Sequence, residues 1–395
     1  MTNSSPEVVP ASSYQAEIYF AGLSGATPPL PTDLTQLEPL AKQRLDPGPY
    51  GYIAGGAGSG ATMRANLEAF DRWRIVPRML RETTRRTLSS TILGTRLPAP
   101  ILVAPVGVLS IAHPDGELAV ARAASALGVP MVLSTASSHT IEEVAEASGD
   151  GPRWYQLYWP TEDAVTLSLL ARAKAAGFDT LVVTLDTWTL GYRPLDLDQA
   201  YLPFLRGVGT AIPFSDPAFL AGLAAAPQDD LMAAVGRWVP MFTGTALRWD
   251  RLPLLRDNWD GPIVLKGVLH PEDARLAVDS GMDGIVVSNH GGRQVDGAVA
   301  ALDALPGIAD AVAGRAAVLF DSGVRGGADV FKALALGADA VLLARPYVYG
   351  LALHGEDGVR HVLRGVITEL DITLGLSGYS DIAQLSPDAL LPMGS

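Results

Sequence analysis

The stretch AVLFDSGVRGGADVFKALALGADAVLLARP, from Ala317 to Pro346, contains one complete repeat of the fold. It begins and ends with short runs, AVLF and AVLL, that are too apolar for strands with one face in water. Between them, GADVFKALALG has apolar residues at helical spacing and ends on a glycine, as helices often do. A strand, a helix and a second strand within about 30 residues are typical of a parallel βαβ unit.

The same alternation extends outward along most of the chain. Eight apolar runs predict strands: ILVAPVG from Ile101, VPMVLST from Val129, RWYQLY from Arg153, TLVVTLD from Thr180, PIVLKG from Pro262, GIVVSN from Gly284, AVLFDS from Ala317 and AVLLARP from Ala340. Helical patterns lie between them: GELAVARAASALG, TIEEVAEASG, DAVTLSLLARAKAAGF, HPEDARLAVDSG, ALDALPGIADAVAG and GADVFKALALG. Eight such units predict an α/β protein of the (β/α)8 TIM-barrel class.

Three segments lie outside this rhythm. Residues 1–97 form an N-terminal extension with one predicted helix, LTQLEPLAKQRL, ahead of a barrel over 98–380. An insert at about 194–258, after the fourth strand, is rich in proline, glycine and aromatic residues. We interpret it as a lid or an oligomer-facing loop that carries some helix. Residues 381–395 form a C-terminal tail.

Composition excludes several classes of protein. The 29 Lys and Arg against 42 Asp and Glu give a net charge of −13, which argues against nucleic acid or an anionic membrane as partner. The chain has no cysteine, so disulfides and thiolate metal sites are excluded, and no metal is predicted. The start MTNSSPEVVP is not a secretory signal, and the apolar stretch PAPILVAPVGVLSIA (98–112) is too short and broken to span a bilayer. We expect a cytoplasmic protein.

The site of such a barrel lies at the carboxyl ends of its strands. Those ends carry Gly107, Ser134, Gln156 with Tyr158, Thr184 with Asp186, Lys266, Ser288 with Asn289 and His290, Asp321, and Arg345. Strand ends are also where chains simply become polar, so each residue alone is ambiguous. Lys266 is the exception, because a lysine near the top of a buried strand is costly unless it is paired with an anion or used in chemistry.

The ends of the seventh and eighth strands predict a phosphate site. In FDSGVRGGADV and LLARP, glycines expose backbone N–H groups, Arg325 and Arg345 supply charge, and GGADV begins a helix. The alternative is a tight glycine turn without a ligand. No GxGxxG follows the first strand, which argues against a nicotinamide site. A phosphosugar and FMN both fit, and Lys266 could be a Schiff-base lysine or the cation beside a reduced flavin.

The segment SNHGGRQVDG, from Ser288 to Gly297, favours the flavin. An aldolase does not need a histidine and an arginine separated by glycines. Oxidation of a 2-hydroxy acid needs a base for a proton and a cation for a carboxylate.

At these residues the chain resembles the FMN-dependent 2-hydroxy-acid oxidases, whose signature SNHGGRQVDG matches. The resemblance covers about residues 37–380. Within that family it is most similar to the lactate 2-monooxygenases, through EIYFAGL, YIAGGAG, the glycine in APVGV, the segment TLDTWTLGYRPLDL and YLPFLRG in the insert.

The resemblance implies catalytic and substrate-binding roles. His290 would be the base, with Asp186 holding its imidazole. Arg293 and Arg193 would bind the substrate carboxylate, and the hydroxyl groups of two further residues would contact the substrate: Tyr52 and Tyr158. Taken by spacing alone, Tyr52 also fits a core tyrosine and Asp186 a helix N-cap.

The resemblance also implies the residues that bind FMN. Those near the flavin ring would be Pro105, Val106 and Gly107. Those along its polar edge would be Ser134, Gln156, Thr184, Lys266 and Ser288. The ribityl chain and phosphate would lie against Asp321, Ser322, Gly323, Val324, Arg325, Ala344 and Arg345.

The expected reaction is oxidation of L-lactate with O2 to acetate, CO2 and water. The alternatives are an oxidase that releases keto acid and H2O2, on a substrate that could be larger, and an FMN-binding barrel without turnover. The insert and the N-terminal extension, which the chain shares with the lactate 2-monooxygenases by resemblance, favour the first reaction. Gly107 is a local clue in the same direction, because the resemblance places a missing methyl group beside the flavin. Ala136 points to a larger substrate, because it leaves room in the pocket. A homo-oligomer, tetramer or octamer, is implied by the resemblance.

Overall fold

A computed structural model describes residues 12–242 and 247–393, and its centre is a closed barrel of eight parallel strands. The strands are β1 Ile101–Val103, β2 Met131–Ser134, β3 Arg153–Leu157, β4 Thr180–Thr184, β5 Ile263–Val268, β6 Gly284–Val287, β7 Ala317–Phe320 and β8 Ala340–Leu343. Each pairs with the next in sequence, and β8 pairs with β1 to close the barrel. The eight predicted strands and the fold class are confirmed.

The strands are apolar because both of their faces are buried. Alternate side chains fill the barrel interior, among them Leu102, Val132, Trp154, Val182, Val264, Val286, Leu319 and Leu342. The intervening residues pack outward against the helices. At the amino end of the strands Trp154 donates its indole N–H to Thr95 Oγ1 at 3.1 Å, so that end of the barrel is closed by packing.

Sixteen helices surround or precede the barrel in the described residues. They are α1 Ser13–Gly22, α2 Leu37–Arg44, α3 Pro47–Ala54, α4 Ala61–Asp71, α5 Gly116–Ala126, α6 Ile141–Ser148, α7 Asp163–Ala175, α8 Pro194–Asp198, α9 Ala211–Phe214, α10 Pro217–Leu220, α11 Leu231–Phe242, α12 Leu252–Arg256, α13 Pro271–Asp279, α14 Ala301–Val312, α15 Gly327–Ala335 and α16 Arg345–Leu376. The six helices predicted between strands are α5, α6, α7, α13, α14 and α15, and the helix predicted in the extension is α2.

The insert between β4 and β5 contains α8 to α12 and short 3-10 turns. Residues 243–246, within the predicted insert, lie outside the described part of the chain. Proline begins several of these short helices, as at Pro194 and Pro217, because its fixed φ suits a first helical turn.

Two small sheets were not predicted. Residues Ser90–Ile92 and Thr95–Leu97 form a hairpin, and Trp73–Ile75 pairs antiparallel with Leu390–Pro392. Three-residue strands are too short to show a period of two. Among the described helices, none is both long and apolar enough to cross a membrane.

Candidate active site

One cavity opens at the mouth of the barrel, by which we mean the carboxyl ends of its strands. Most of the predicted site residues line it: Tyr52, Pro105, Val106, Gly107, Tyr158, Arg193, Lys266, His290, Arg293, Asp321, Ser322, Gly323, Val324, Arg325, Ala344 and Arg345. These residues come from segments more than 290 positions apart in sequence, and the barrel brings them together because parallel strands end on one side.

The other predicted residues lie beneath this lining. Gln156 donates from Nε2 to Thr184 Oγ1 at 2.9 Å, and Lys266 donates to Ser288 Oγ at 2.9 Å. Ser134 accepts from the backbone N–H of Ala136. These polar side chains end adjacent strands and support the lining residues.

His290 lies in a tight turn that directs its ring toward Asp186. Its φ is 58°, and the next two residues, Gly291 and Gly292, have φ of 63° and 74°. A Cβ on Gly292 would lie 2.7 Å from the backbone nitrogen of Met63 in α4, so no larger residue fits there. Gly292 therefore allows the close approach of this turn to the N-terminal extension, and Gly291 allows the approach of the Arg345 side chain, whose Nη1 would lie 2.8 Å from a Cβ there.

Asp186 fixes the tautomer of His290. The imidazole Nδ1 lies 2.9 Å from Asp186 Oδ1, and Thr187 Oγ1 donates to the same oxygen at 2.9 Å. Because Nδ1 donates to a carboxylate, Nε2 of the neutral ring is the acceptor. Burial lowers the pKa of His290 below its ordinary value, although Asp186 opposes the shift. The ring is therefore neutral, and able to accept a proton, at neutral pH.

Two arginines lie beside this histidine, Arg193 buried and Arg293 half-buried, and neither has a carboxylate partner among the described residues. Arg293 donates from Nη1 to the carbonyl oxygen of Gly55 at 2.8 Å, and its guanidinium lies 5.0 Å from the ring centre of Tyr52. Arg193 donates from Nε to the carbonyl oxygen of Arg293 at 3.0 Å. Burial and the neighbouring Arg193 lower the pKa of Arg293 to about 9. A carboxylate anion placed between these two guanidinium groups would offset both the unfavourable free energy of their desolvation and the repulsion between their charges.

Lys266 is paired. Its Nζ lies 2.8 Å from Asp321 Oδ2, and both side chains are buried. Burial lowers the pKa of Lys266, but Asp321 and Asp186 outweigh burial and raise it overall. A lysine held protonated is a poor Schiff-base nucleophile. The geometry favours its role as a cation at the site over the aldolase alternative.

The predicted role of the α15 N-terminus in phosphate binding is wrong. Glu369 of α16 accepts from the backbone N–H of Gly327 at 2.7 Å, and Asp329 accepts from those of Arg325 and Gly326 at 2.8 and 3.3 Å. Carboxylates already cap this helix, so its first N–H groups are not available to an anion.

Arg345 was also expected to supply charge to the phosphate, and here its guanidinium is bound elsewhere. It donates to the carbonyl oxygens of Ile53, Gly55 and Gly291 at 3.2, 2.9 and 3.0 Å. Its side chain therefore joins the end of α3, which carries Tyr52, to the turn of His290. The prediction that this guanidinium is free for a phosphate is not supported by the geometry.

Other donors in the cavity fit a phosphate. Among the described residues, the backbone N–H groups of Gly323, Val324 and Arg345 have no hydrogen-bond partner, and Arg325 uses only one guanidinium nitrogen, on the Val324 carbonyl. All four residues line the cavity. Unpaired N–H groups beside one arginine are a suitable donor set for the phosphate of FMN.

The interpretation of Gly107 is corrected. A Cβ there would lie 2.7 Å from both the Cβ and the carbonyl oxygen of Ala136. The glycine is therefore required by packing against the loop after β2. A methyl group at this position would meet Ala136 and not open space, so Gly107 by itself does not favour monooxygenation.

The insert supplies an apolar wall that sequence reasoning missed. The residues of the insert that line the cavity are Leu202, Phe204, Trp238, Val239 and Phe242. The Phe204 and Trp238 rings lie 4.7 Å apart, and the Trp238 and Phe242 rings 5.4 Å apart. The aromatic clusters YLPF and RWVPMF in an otherwise broken insert were the available signal.

Comparison with known proteins identifies the family of the chain. The model of the FMN-dependent dehydrogenase family matches residues 41–392. The chain is 48% identical over 382 residues to an FMN-dependent alpha-hydroxy acid dehydrogenase of Penicillium citrinum, covering 96% of this chain and 95% of that protein. It is 42% identical over 360 residues to an L-lactate oxidase of Lysinibacillus sphaericus, covering 91% and 92% of the two chains.

Solved structures of mandelate oxidase are similar in fold. One superposes with a TM-score of 0.81 at 39% identity, covering 92% of this chain and 98% of that chain. The extent of these matches, together with the donor set for a phosphate and the paired Lys266, shows both family and cofactor. The chain belongs to the FMN-dependent dehydrogenases, as an enzyme that uses FMN to oxidise a 2-hydroxy acid.

Proposed function

We propose that the chain oxidises an L-2-hydroxy acid with an apolar side chain to the 2-keto acid, with O2 as electron acceptor. The observation that carries the proposal is the convergence of His290, Arg193 and Arg293 on one cavity beside a site that fits FMN. A base and two carboxylate-binding groups are what the two ends of such a substrate require.

The arginines bind and orient the substrate. The forked guanidinium groups of Arg193 and Arg293 bind the substrate carboxylate. This carboxylate supplies the charge partner that neither arginine has among the described residues. The side chain of Arg293 is fixed by Gly55 and Tyr52, so the carboxylate is held at a defined distance from His290. Tyr52 and Tyr158 line the same cavity, and we assign their hydroxyl groups as donors to the substrate.

His290 removes a proton while Asp186 stabilises the charge that results. Nε2 is the acceptor, because Nδ1 is committed to Asp186. The imidazolium then forms a charged pair with this carboxylate. FMN, when bound, would supply the acceptor for the two electrons and the second hydrogen of the substrate, and Lys266 would be the cation that balances negative charge near it.

The cavity wall favours a side chain larger than a methyl group. Phe204, Trp238 and Phe242 provide an apolar surface in the cavity. Proteins similar to this chain are named L-lactate oxidase and mandelate oxidase. The 2-hydroxy acids in these two names carry a methyl and a phenyl side chain. We expect better use of an aromatic or branched 2-hydroxy acid than of L-lactate.

The conversion of L-lactate to acetate, CO2 and water is the second candidate. It is favoured by the insert, because Leu202, Phe204 and Trp238 of this segment line the cavity and we interpret the segment as a lid. A covered site retains the keto acid long enough for the reduced oxygen species to decarboxylate it. An open site releases keto acid and H2O2.

A substrate panel tests both. The purified protein should be yellow, and anaerobic addition of an L-2-hydroxy acid should bleach it. L-lactate, L-mandelate and a branched aliphatic 2-hydroxy acid should be compared by flavin reduction, then under air by oxygen uptake and peroxide. Peroxide stoichiometric with keto acid would exclude monooxygenation. No bleaching with any 2-hydroxy acid would exclude the proposed function and favour an FMN-binding barrel without turnover.

A further inference from the structure

We propose that Gln294 is a positioning residue that holds the base and the carboxylate-binding arginine in register. It joins the turn of His290 to the loop of residues 186–193, which carries Asp186 at one end and Arg193 at the other. The inference rests on the proposed function, because it assigns a task to a residue behind the substrate-binding groups.

The primary amide of Gln294 is fully used. Its Oε1 accepts from Arg193 Nη2 at 2.6 Å and from the backbone N–H of Gly191 at 3.3 Å. Its Nε2 donates to the carbonyl oxygens of Asp186 at 2.7 Å and Thr189 at 2.8 Å. Two acceptor sites and two N–H groups are all that a glutamine side chain has. One side chain therefore fixes the loop at its start, middle and end.

Gly191 gives a second, independent indication. A Cβ at this position would lie 2.4 Å from the carbonyl oxygen of Arg293 and 2.7 Å from that of Gln294. The loop thus lies directly against the backbone of the turn, with no space for a side chain. Two features therefore support the contact between the loop and the turn: the absence of a side chain at Gly191 and the hydrogen bonds of the Gln294 side chain.

The amide is neutral, and this matters for the charge on Arg193. The described hydrogen-bond partners of the Arg193 side chain are the Arg293 carbonyl and Gln294 Oε1, both uncharged. Gln294 orients the guanidinium without neutralising it, so its positive charge remains for the substrate carboxylate. A carboxylate of the same length would pair with Arg193 and would also face the carbonyl oxygens of Asp186 and Thr189.

Gln294→Glu and Gln294→Met test this in the FMN-loaded enzyme. The dissociation constant of a 2-keto acid, measured from the absorbance change of bound FMN, should rise about ten- to hundredfold in both variants. In Gln294→Glu the negative charge near His290 should also move the acid limb of the kcat/KM profile to higher pH, whereas Gln294→Met should not move it that way. FMN content should stay at the wild-type level.

The control is Gln384→Met, the same substitution at a glutamine outside the cavity that accepts from the backbone N–H of Ser380. It should leave keto-acid affinity unchanged. Gly191→Ala provides a second route to the same contact, and it should weaken keto-acid binding while Gln294 is intact.

Keto-acid affinity per bound flavin within twofold of wild type in both Gln294 variants would overturn the proposal, even if their thermal stability were lower. If a Gln294 variant does not fold, unchanged affinity in Gly191→Ala would overturn it. The proposed function is judged separately, by whether wild-type enzyme is reduced by a 2-hydroxy acid at all.

Discussion

The arginines at the mouth of the barrel and those on its outer layer are held in opposite ways. On the outer layer, Arg86 makes two hydrogen bonds of 2.7 Å with Asp371, and Arg172 bonds Glu142 and Asp216. At the mouth, the hydrogen-bond partners of Arg193 and Arg293 in the described part of the chain are all neutral oxygen atoms, and Arg293 also lies against the ring of Tyr52.

The same contrast appears in their proton affinities. The hydrogen bonds with Asp371 raise the pKa of Arg86, whereas burial and a like charge lower that of Arg293 to about 9. The charges of the outer arginines are paired with carboxylates of the protein and stabilise the fold. The positive charges of Arg193 and Arg293 are not neutralised by these neutral oxygen atoms, so we propose that they bind the substrate carboxylate. The oxygen atoms still fix the geometry of both guanidinium groups.

The largest effect should come from His290→Gln. Loss of the base should slow flavin reduction by about a hundredfold to ten-thousandfold. FMN content and the thermal midpoint should stay close to those of wild type, because a mouth residue serves chemistry more than stability. Anaerobic stopped-flow reduction measures the rate. Near-normal reduction would remove His290 as the base.

Arg293→Met should separate binding from stability. We expect kcat/KM to fall about 30- to 3000-fold, because the substrate carboxylate loses a buried charge partner. The free energy of unfolding should not fall, since the substitution removes a half-buried charge that has no carboxylate partner among the described residues. Arg293→Lys is the matched control that keeps the charge without the forked guanidinium. Its kcat/KM should lie between those of wild type and Arg293→Met. Strong destabilisation by Arg293→Met would break the comparison.

Asp371→Asn should show the reverse pattern. It leaves Arg86 without its carboxylate, and the free energy of unfolding should fall by roughly 3 kcal/mol. Flavin reduction per bound FMN should be unchanged. Asp279→Asn is the control, because its pair with Arg315 is exposed, at 62% and 48%, and its loss should change stability by less than about 1 kcal/mol. Equal effects of the two substitutions, measured by denaturant unfolding, would contradict this interpretation.

The smallest effect is on pH dependence. The base works when neutral, so kcat/KM should fall as pH drops through the pKa of His290. Because burial lowers that pKa, the midpoint should lie below the ordinary value of about 6.5. Asp186→Asn removes the group that opposes the shift and should move the midpoint lower still. A wild-type midpoint above the ordinary value would mean that Asp186, and not burial, has the larger effect on the pKa of His290.

The barrel could be predicted because each strand is buried on both faces and therefore appears as a continuous apolar run. The strand-end residues followed from the same rule, which places the ends of β5 and β6, with Lys266 and His290, at one mouth. A local pattern was sufficient for both.

Contacts between distant segments were not predictable in this way. GGADV has the appearance of a free helix N-terminus, and the carboxylate that caps it, Glu369, comes 42 positions after Gly327, from a different helix. Gln294 was overlooked because a neutral amide gives no charge signal. The partners of Arg345 are backbone oxygens, which have no signature in sequence.

The insert after β4 has a consequence for how this enzyme can change over evolution. The groups that we propose to move protons and hold the cofactor lie at strand ends, whereas Phe204 and Trp238, which line the cavity, belong to a separate segment between β4 and β5. Substitution within that segment alters the wall without displacing His290 or Lys266. Substrate range can therefore drift by loop exchange while the reaction stays the same, so two such enzymes can share every strand-end residue and still act on different acids.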